Sequence, residues 1–287
     1  MLKKLISEAE FLIRETAAQF KNPAVLWSTG KDSTVVLDLI RNALGTIPFP
    51  VIHIDTGLKF PEIYKFRDAI ARKWEFNHQL RVIRALLIPE HTYVPHDHYA
   101  CCTVHKIDVL KKFMNKHQID ALIVSIRRDE HGIRNKERYM SPRTKKFEWR
   151  VVQDKEGGDS GLESLQDVEM SGWSIFASDY GEDCDHVRVH PILSWSEVNI
   201  WEYIKERKLP YLKLYRADYM EKKHGVRGIR HRSVGCIPCS QPIRSMASSV
   251  DEIIEELYKT TEDERKGRAQ DKDKELVMER LRALGYL

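Results

Sequence analysis

Apolar positions recur along this chain in two alternating rhythms. Leu5, Ile6, Ala9, Leu12, Ile13, Ala17 and Phe20 return at intervals of three and four, which predicts an amphipathic helix over residues 2–20. The apolar run from Ala24 to Trp27 suits a buried strand, and Val35, Val36, Leu37, Leu39 and Ile40 then resume helical spacing. After a turn-rich link at 45–50, the stretch from Pro50 to Asp55 predicts a second strand and that from Glu62 to Trp74 a helix. Leu80 to Leu87 predicts a third strand, a helix runs on through Met114, and Ile119 to Ile126 predicts a fourth strand. Residues 151–187 show no period and are acidic with interspersed Gly and Ser, so they read as an insertion or lid. Beyond them a strand is expected from Val187 to Ile192, a helix from Trp195 to Lys205 and a turn from Pro210 to Arg216. The tail is predicted helical from Val250 to Arg268 and from Lys274 to Leu284. Strands separated by helices, each strand ending in polar or charged residues, predict an α/β fold: an open, doubly wound, mainly parallel sheet with a helical C-terminal extension.

Composition narrows the class. With 31% charged and 42% hydrophobic residues among 287, the chain reads as globular. No apolar stretch reaches a membrane span, and Glu8, Glu10, Arg14 and Glu15 would interrupt any secretory core, so the cytoplasm is the expected compartment. The net charge of +4 is unevenly spread: residues 151–187 hold ten carboxylates against Lys155 alone, leaving the rest of the chain strongly basic. Such a body favours anionic ligands such as nucleotides, sulfate or nucleic acid, with an ordinary solvated surface as the plainer alternative. Five cysteines in a cytosolic chain point to metal or redox chemistry before disulfides.

The junction of the first strand and its helix carries the sharpest candidate chemistry. Ser28-Thr29-Gly30-Lys31-Asp32-Ser33 makes a tight turn at a helix start, where hydroxyls and free N–H groups can hold a phosphate; Gly30 admits close backbone approach and Lys31 adds a point charge. The leading glycine of G-x-x-x-x-G-K-[ST] is missing, so a Walker A cradle fits poorly. Asp55 and Gly57, just past the second strand, and Arg127, Arg128, Asp129, Glu130 and Arg134, past the fourth, fall on the same carboxyl edge, where ligands bind in open α/β sheets.

S-x-G-K-D-S resembles the PP-loop of the ATP pyrophosphatase superfamily. Together with H-x-D-T-G-x-K-F (His53 to Phe60), R-R-D-E with its downstream K-E-R (Arg127 to Arg138) and R-V-x-P-x-x-x-W (Arg188 to Trp195), it makes the chain similar, over nearly its whole length, to the small subunit of ATP sulfurylase and its sister PAPS/APS reductases. The resemblance implies a nucleotide-binding domain over 1–215, followed by a basic loop, a C-x-x-C pair and helices over 216–287. It implies ATP cleavage between the α and β phosphates with Mg²⁺. Ser28, Thr29, Gly30, Lys31, Asp32 and Ser33 would grip pyrophosphate, Asp55 and Gly57 would lie by the nucleotide, and Arg127, Arg128 and Asp129, with Lys31 and Asp32, would serve catalysis. Arginines and Mg²⁺ suit the charge that builds on the phosphoryl oxygens. For Arg128 a plain salt bridge, and for Asp55 a turn cap, are the structural alternatives.

Cys101-Cys102 and Cys236-x-x-Cys239 depart from the sulfurylase subunit and resemble the set by which APS-type reductases hold a [4Fe–4S] cluster. Zinc and unligated thiols remain alternatives. Cys184 reads as a spectator within the insertion, His91, His96, His98 and His105 as loop histidines, and His53 as a sheet residue beside the nucleotide. The reductase reaction uses a further cysteine near the C-terminus, and no cysteine follows Cys239. The expectation is therefore an ATP pyrophosphatase or adenylyltransferase that activates an acceptor oxygen for sulfur incorporation, in the manner of DNA phosphorothioation components. A cysteine desulfurase and nucleic acid would be its partners, the latter meeting Lys222, Lys223, His224, Arg227, Arg230, His231 and Arg232. The alternatives are a sulfate adenylyltransferase small subunit with a GTPase large subunit, a reductase, or a non-catalytic nucleotide-binding scaffold. No membrane contact is expected, and a homo-oligomer is possible.

Overall fold

The computed structural model describes residues 1–84, 98–130, 134, 137–148, 180, 184–260 and 264. Most of the acidic segment, the continuation of the third strand past Arg84, His91, His96 and the tail helices beyond 260 lie outside the described residues. The chain begins with α1 (Leu2–Gln19), β1 (Pro23–Leu26), α2 (Lys31–Leu44), β2 (Val51–Asp55), α3 (Pro61–Lys73) and β3 (Leu80–Arg84). It continues with α4 (His98–Cys102), a π-helical turn (Thr103–Ile107), α5 (Asp108–His117), β4 (Ala121–Ile123), β5 (Met140–Thr144) and β6 (Cys184–Val189). It ends with α6 (Glu197–Arg207), α7 (Ala217–His224), β7 (Ile229–His231), β8 (Pro242–Arg244) and α8 (Val250–Lys259).

Six strands form one sheet in the order β3-β2-β1-β4-β6-β5, and β7-β8 form a separate hairpin. All pairings in the large sheet are parallel except β5 with β6. Val25 pairs with Val51 on one side and Ile123 on the other, and Ile123 pairs with Val189, so a row of β-branched side chains crosses the sheet. This is the open, mainly parallel sheet that the patterning predicts. The chain leaves β1 toward β2 and β3, then returns to place β4 on the opposite flank of β1. The order reverses there, and at such a point the loops after β1 and β4 diverge to leave a crevice.

One apolar cluster lies on the face covered by α1, α2 and α6, and takes in Met220, Val234, Ile253 and Leu257 from the chain beyond residue 216. The second, smaller cluster lies under α5, with Leu110, Met114, Leu122 and Val124. Two boundaries differ from the patterning. The last parallel strand starts at Cys184, so Cys184 belongs to the sheet and not to the acidic insertion. The edge strand β5, Met-Ser-Pro-Arg-Thr, escapes a periodicity reading because it is polar and contains Pro142, a residue that only an edge or irregular strand accepts.

α2, which carries the phosphate turn, is held from behind by a buried carboxylate. Asp38 accepts from Arg41 at 2.6 Å, from Tyr203 Oη at 2.9 Å and from Arg207 Nε at 3.2 Å, joining α2 to α6. Replacing it removes charge-assisted bonds but leaves both arginines partly in water. Asp38→Ala should therefore cost about 2–3 kcal/mol, read as a lower urea midpoint with an unchanged denaturant slope.

Candidate active site

The turn between β1 and α2 is built for an anion. Helix α2 starts at Gly30, whose amide donates to Ser28 Oγ at 3.3 Å, and Lys31 N donates to Tyr215 Oη, while no side chain caps the amides of Asp32 and Ser33. Ser28 Oγ and Ser33 Oγ stand 3.0 Å apart across the turn. The positive backbone angle falls on Thr29 (φ 69°), while Gly30 has an ordinary φ of −65°. Gly30 is needed instead for room: a Cβ there would lie 3.3 Å from Ser28 Oγ and 3.6 Å from Tyr215 Oη. A β-branched residue at positive φ stores about 1–3 kcal/mol of strain, and the Thr29 hydroxyl, donating to Ser28 O at 2.5 Å, helps to hold it.

A cavity opens beside this turn. The phosphate-turn side is lined by Ser28, Gly30, Asp32 and Ser33, an apolar wall by Leu26, Ile54, Leu110, Val124 and Ile126, and the remaining walls include Thr56, Lys59, Lys106, Glu130, Arg134, Tyr215, Cys236 and Glu264. Residues from both sides of the sheet's reversal point thus converge on one space, apolar at one end and donor-rich at the other.

Lys31 and Arg127 lie beneath that surface. The Lys31 ammonium, 1% exposed, is within 3.3 Å of Asp32 Oδ2 and 3.7 Å of Glu197 Oε1 and donates to Glu264. Arg127, 0% exposed, donates to Asp32 Oδ1 at 2.7 Å and also to Asp129 and Glu264. Burial alone would discharge Lys31, but the carboxylates around it outweigh that effect and hold it above the ordinary lysine range; Arg127 is raised for the same reason. Burial raises Asp129 despite Arg127 beside it, and Glu197 likewise, whereas for Glu264 burial is overcome by Lys31 and Arg127, which drive it down. Asp129 also accepts from Glu197 N at 2.8 Å and so secures the start of α6.

Of the residues that the sequence nominates, Ser28, Gly30, Asp32 and Ser33 come together on the cavity. Lys31 and Arg127 meet one another's carboxylates below it. Arg128 donates to Glu137 O at 3.2 Å and stacks over Tyr139. Asp55 is engaged on its own loop, accepting from Gly57 N and Tyr64 Oη at 2.8 Å each and from Arg84; although burial would raise it, these bonds bring it down to about 2. The basic run divides: Lys222, Lys223, His224 and Arg227 are exposed, Arg230 is buried against Glu256 at 2.7 Å, and Arg232 pairs with Glu197 at 2.8 Å. Tyr215, Glu197 and Glu264 carry no sequence signature, since each reaches the turn only through tertiary packing. Tyr215 Oη accepts from Lys31 N at 3.2 Å.

The four paired cysteines gather at a second, small cavity lined by Thr56, Leu58, Cys101, Cys102, His105, Lys106, Cys236 and Cys239. Two devices bring them there. α4 and the π-helical turn that follows it carry Cys101, Cys102, His105 and Lys106 on one continuous helical segment, and an antiparallel bridge between Lys59 and Cys236, with Ile237 N donating to Leu58 O at 2.7 Å, pins the C-x-x-C loop to the loop after β2. None of the five cysteines forms a disulfide; burial and the neighbouring thiols push Cys101 up to about 11. Among the described residues no three His, Cys, Asp or Glu side chains form a group able to hold a single metal ion. Thr56, Lys106 and Cys236 line both cavities, so the two share a wall.

A strand, an uncapped helix start and a Ser-x-Gly-Lys-Asp-Ser turn at the reversal point of a parallel sheet define a nucleotide-binding protein of the PP-loop class. Residues 22–242 match the phosphoadenosine phosphosulfate reductase domain, and the chain belongs to that family. It is 36% identical to sulfate adenylyltransferase subunit 2 of Psychromonas ingrahamii, over 99% of this chain and 97% of that one. It is 34% identical to the subunit of the same name from Agrobacterium fabrum, over 99% and 92%. Among solved structures the fold is similar to Candida glabrata FMN adenylyltransferase in complex with FMN and the ATP analog AMPCPP (TM-score 0.55, 14% identity, 93% of this chain and 90% of that chain). It is also similar to Candida auris phosphoadenylyl-sulfate reductase (TM-score 0.53, 14% identity, 84% and 96%). The chain is an adenylyl-transferring enzyme of this family. No described helix is long and apolar enough to cross a membrane.

The room at Gly30 gives a direct check. Alanine accepts the backbone angles at this position, so Gly30→Ala should leave the melting temperature within a few degrees of wild type. Its methyl group crowds the turn, and ATP affinity measured by calorimetry should fall about tenfold or more.

Proposed function

We propose that the chain transfers the adenylyl group of ATP to inorganic sulfate, giving adenylyl sulfate and pyrophosphate. The observation that carries this reading is the reach of the likeness to sulfate adenylyltransferase subunit 2: it spans 99% of the chain and therefore every wall of the cavity. A sulfate oxygen bonds to the α-phosphorus while the bond from that phosphorus to the α–β bridging oxygen breaks, and pyrophosphate leaves with the electron pair. Ser28, Ser33 and the amides of Asp32 and Ser33 bind the leaving pyrophosphate, and Leu26, Ile54, Val124 and Ile126 suit the adenine ring. The Lys31–Arg127 cluster, neutralised by its carboxylates, fixes the position of the turn from below.

Mg²⁺ would rest mainly on phosphate oxygens, because the cavity carboxylates Asp32, Glu130 and Glu264 are already ion-paired. Bound there, it would neutralise charge on the phosphates. By analogy with the relatives' designation as a subunit, the partner is a large GTPase subunit.

Incubating the chain with Mg-ATP, with and without sulfate and the relatives' large subunit, tests the reading. Pyrophosphate release together with adenylyl sulfate, both dependent on sulfate, is the expected outcome; release without sulfate and without adenylyl sulfate overturns it.

The shared wall favours a second reading. Four thiols around one small cavity are the donor set of a [4Fe–4S] cluster held by Cys101, Cys102, Cys236 and Cys239, and a cluster spreads its ligands more widely than a single ion does. Such a group would supply electron transfer or a sulfur-handling centre. The adenylylated acceptor would then be a nucleic-acid phosphate, as in DNA phosphorothioation, and the sulfur would come from a cysteine desulfurase. Anaerobic purification should yield about four iron and four sulfide per chain, lost in Cys236→Ala; an iron-free chain with an intact fold removes this reading.

A further inference from the structure

We infer that Lys59 is the residue that binds the acceptor oxyanion. Two of the cations lining the cavity have partners at its walls: Arg134 is paired with Glu130, and Lys106 donates to Cys102 Sγ at 3.5 Å. The lysine of the phosphate turn is absorbed by Asp32, Glu197 and Glu264. Lys59 differs. Among the described residues no carboxylate forms an ion pair with it; Asp55, on the same loop, is taken up by Arg84, Tyr64 and Gly57.

Its hydrogen-bond partner is a histidine held in one tautomer. His53, 0% exposed on β2, places Nδ1 2.9 Å from Trp27 O. A carbonyl only accepts, so Nδ1 carries the ring proton and Nε2 is left to accept from Lys59 Nζ at 3.4 Å. The imidazole therefore orients the ammonium without neutralising it, and Trp27 O ties this pair to the residue before the phosphate turn. The arrangement leaves an ammonium without a carboxylate partner facing a cavity whose other cations are engaged.

The in-line geometry of displacement at phosphorus says which oxyanion it meets. Attacking and leaving oxygens lie on opposite sides of the α-phosphorus. With pyrophosphate on the Ser28–Ser33 turn, the acceptor belongs on another wall. The polar wall that holds Lys59, Thr56 and Cys236 arises from the loop after β2 and the C-x-x-C loop, not from the phosphate turn. This inference rests on the adenylyl-transfer reading of the cavity and adds to it a residue that selects the acceptor.

Steady-state kinetics on the intact chain, together with the large subunit, test it with sulfate as the probe, using Lys59→Met and Lys59→Arg. The expected result for Lys59→Met is a KM for sulfate raised about tenfold or more with KM for ATP within about twofold of wild type, partly restored in Lys59→Arg. An unchanged sulfate KM overturns the inference, as does a rise confined to the ATP KM, which would place Lys59 on the triphosphate. Loss of iron from Lys59→Met with sulfate kinetics intact would make the residue a counterion of the thiol cavity, and also overturns it. A wild-type chain that forms no adenylyl sulfate at all defeats the parent reading instead, and ATP binding to Lys59→Met by calorimetry confirms that the variant is folded in either case.

Discussion

Two cations buried under the phosphate turn organise the molecule. Lys31 and Arg127 come from the ends of different strands, and four carboxylates, Asp32, Asp129, Glu197 and Glu264, hold them together. Each carboxylate belongs to a different part of the chain: the first turn of α2, the loop after β4, the first turn of α6 and the segment beyond α8. Taking such charges out of water is costly, and a buried network of this kind is weak evidence for stability. Its value is geometric. Either cation stripped of its carboxylates would be an uncompensated buried charge, so the network ties the four elements to the turn.

That constraint explains why the turn can be both exposed and rigid. Ser28, Gly30, Asp32 and Ser33 line open space, yet Thr29 and Lys31 between them and Arg127 beneath are enclosed. Thr29 can be kept at an unfavourable backbone angle because Tyr215 Oη, from a distant segment, accepts from Lys31 N, and because the Lys31 ammonium is clamped from below. Preorganised donors that need not move when charge develops are the larger part of what a phosphoryl or adenylyl transfer site contributes.

The second organising feature is a shared wall. Thr56, Lys106 and Cys236 belong at once to the nucleotide cavity and to the thiol cavity, and Thr56 Oγ1 lies 3.2 Å from Cys236 Sγ. Burial next to another cation, Lys106, pulls the Lys59 ammonium down to about 8, with Cys236 pulling the other way. His53, between Lys59 and the backbone of β1, is lowered to about 3, first by burial and then by Lys59, so it stays neutral. The nucleotide cavity and the thiol cavity are therefore separated by very few atoms.

The amino-acid pattern by itself determined the alternation of strands and helices, the parallel sheet and the phosphate turn, because each is written in local periodicity or in short spacings; that Cys101-Cys102 would meet Cys236-x-x-Cys239 was legible only through a family resemblance. Lys59 was already visible inside H-x-D-T-G-x-K-F, but nothing local told it apart from Lys31 as the charge that faces the ligand. Only the tertiary structure decided that, by bringing Glu197 and Glu264, 166 and 233 residues away from Lys31, against its ammonium and leaving Lys59 with a neutral imidazole. The same holds for Arg230 and Arg232, which read as part of a basic surface and are instead spent on Glu256 and Glu197. Which charges remain available to a ligand depends on where the opposite charges fold, and that is long-range information no window of sequence contains.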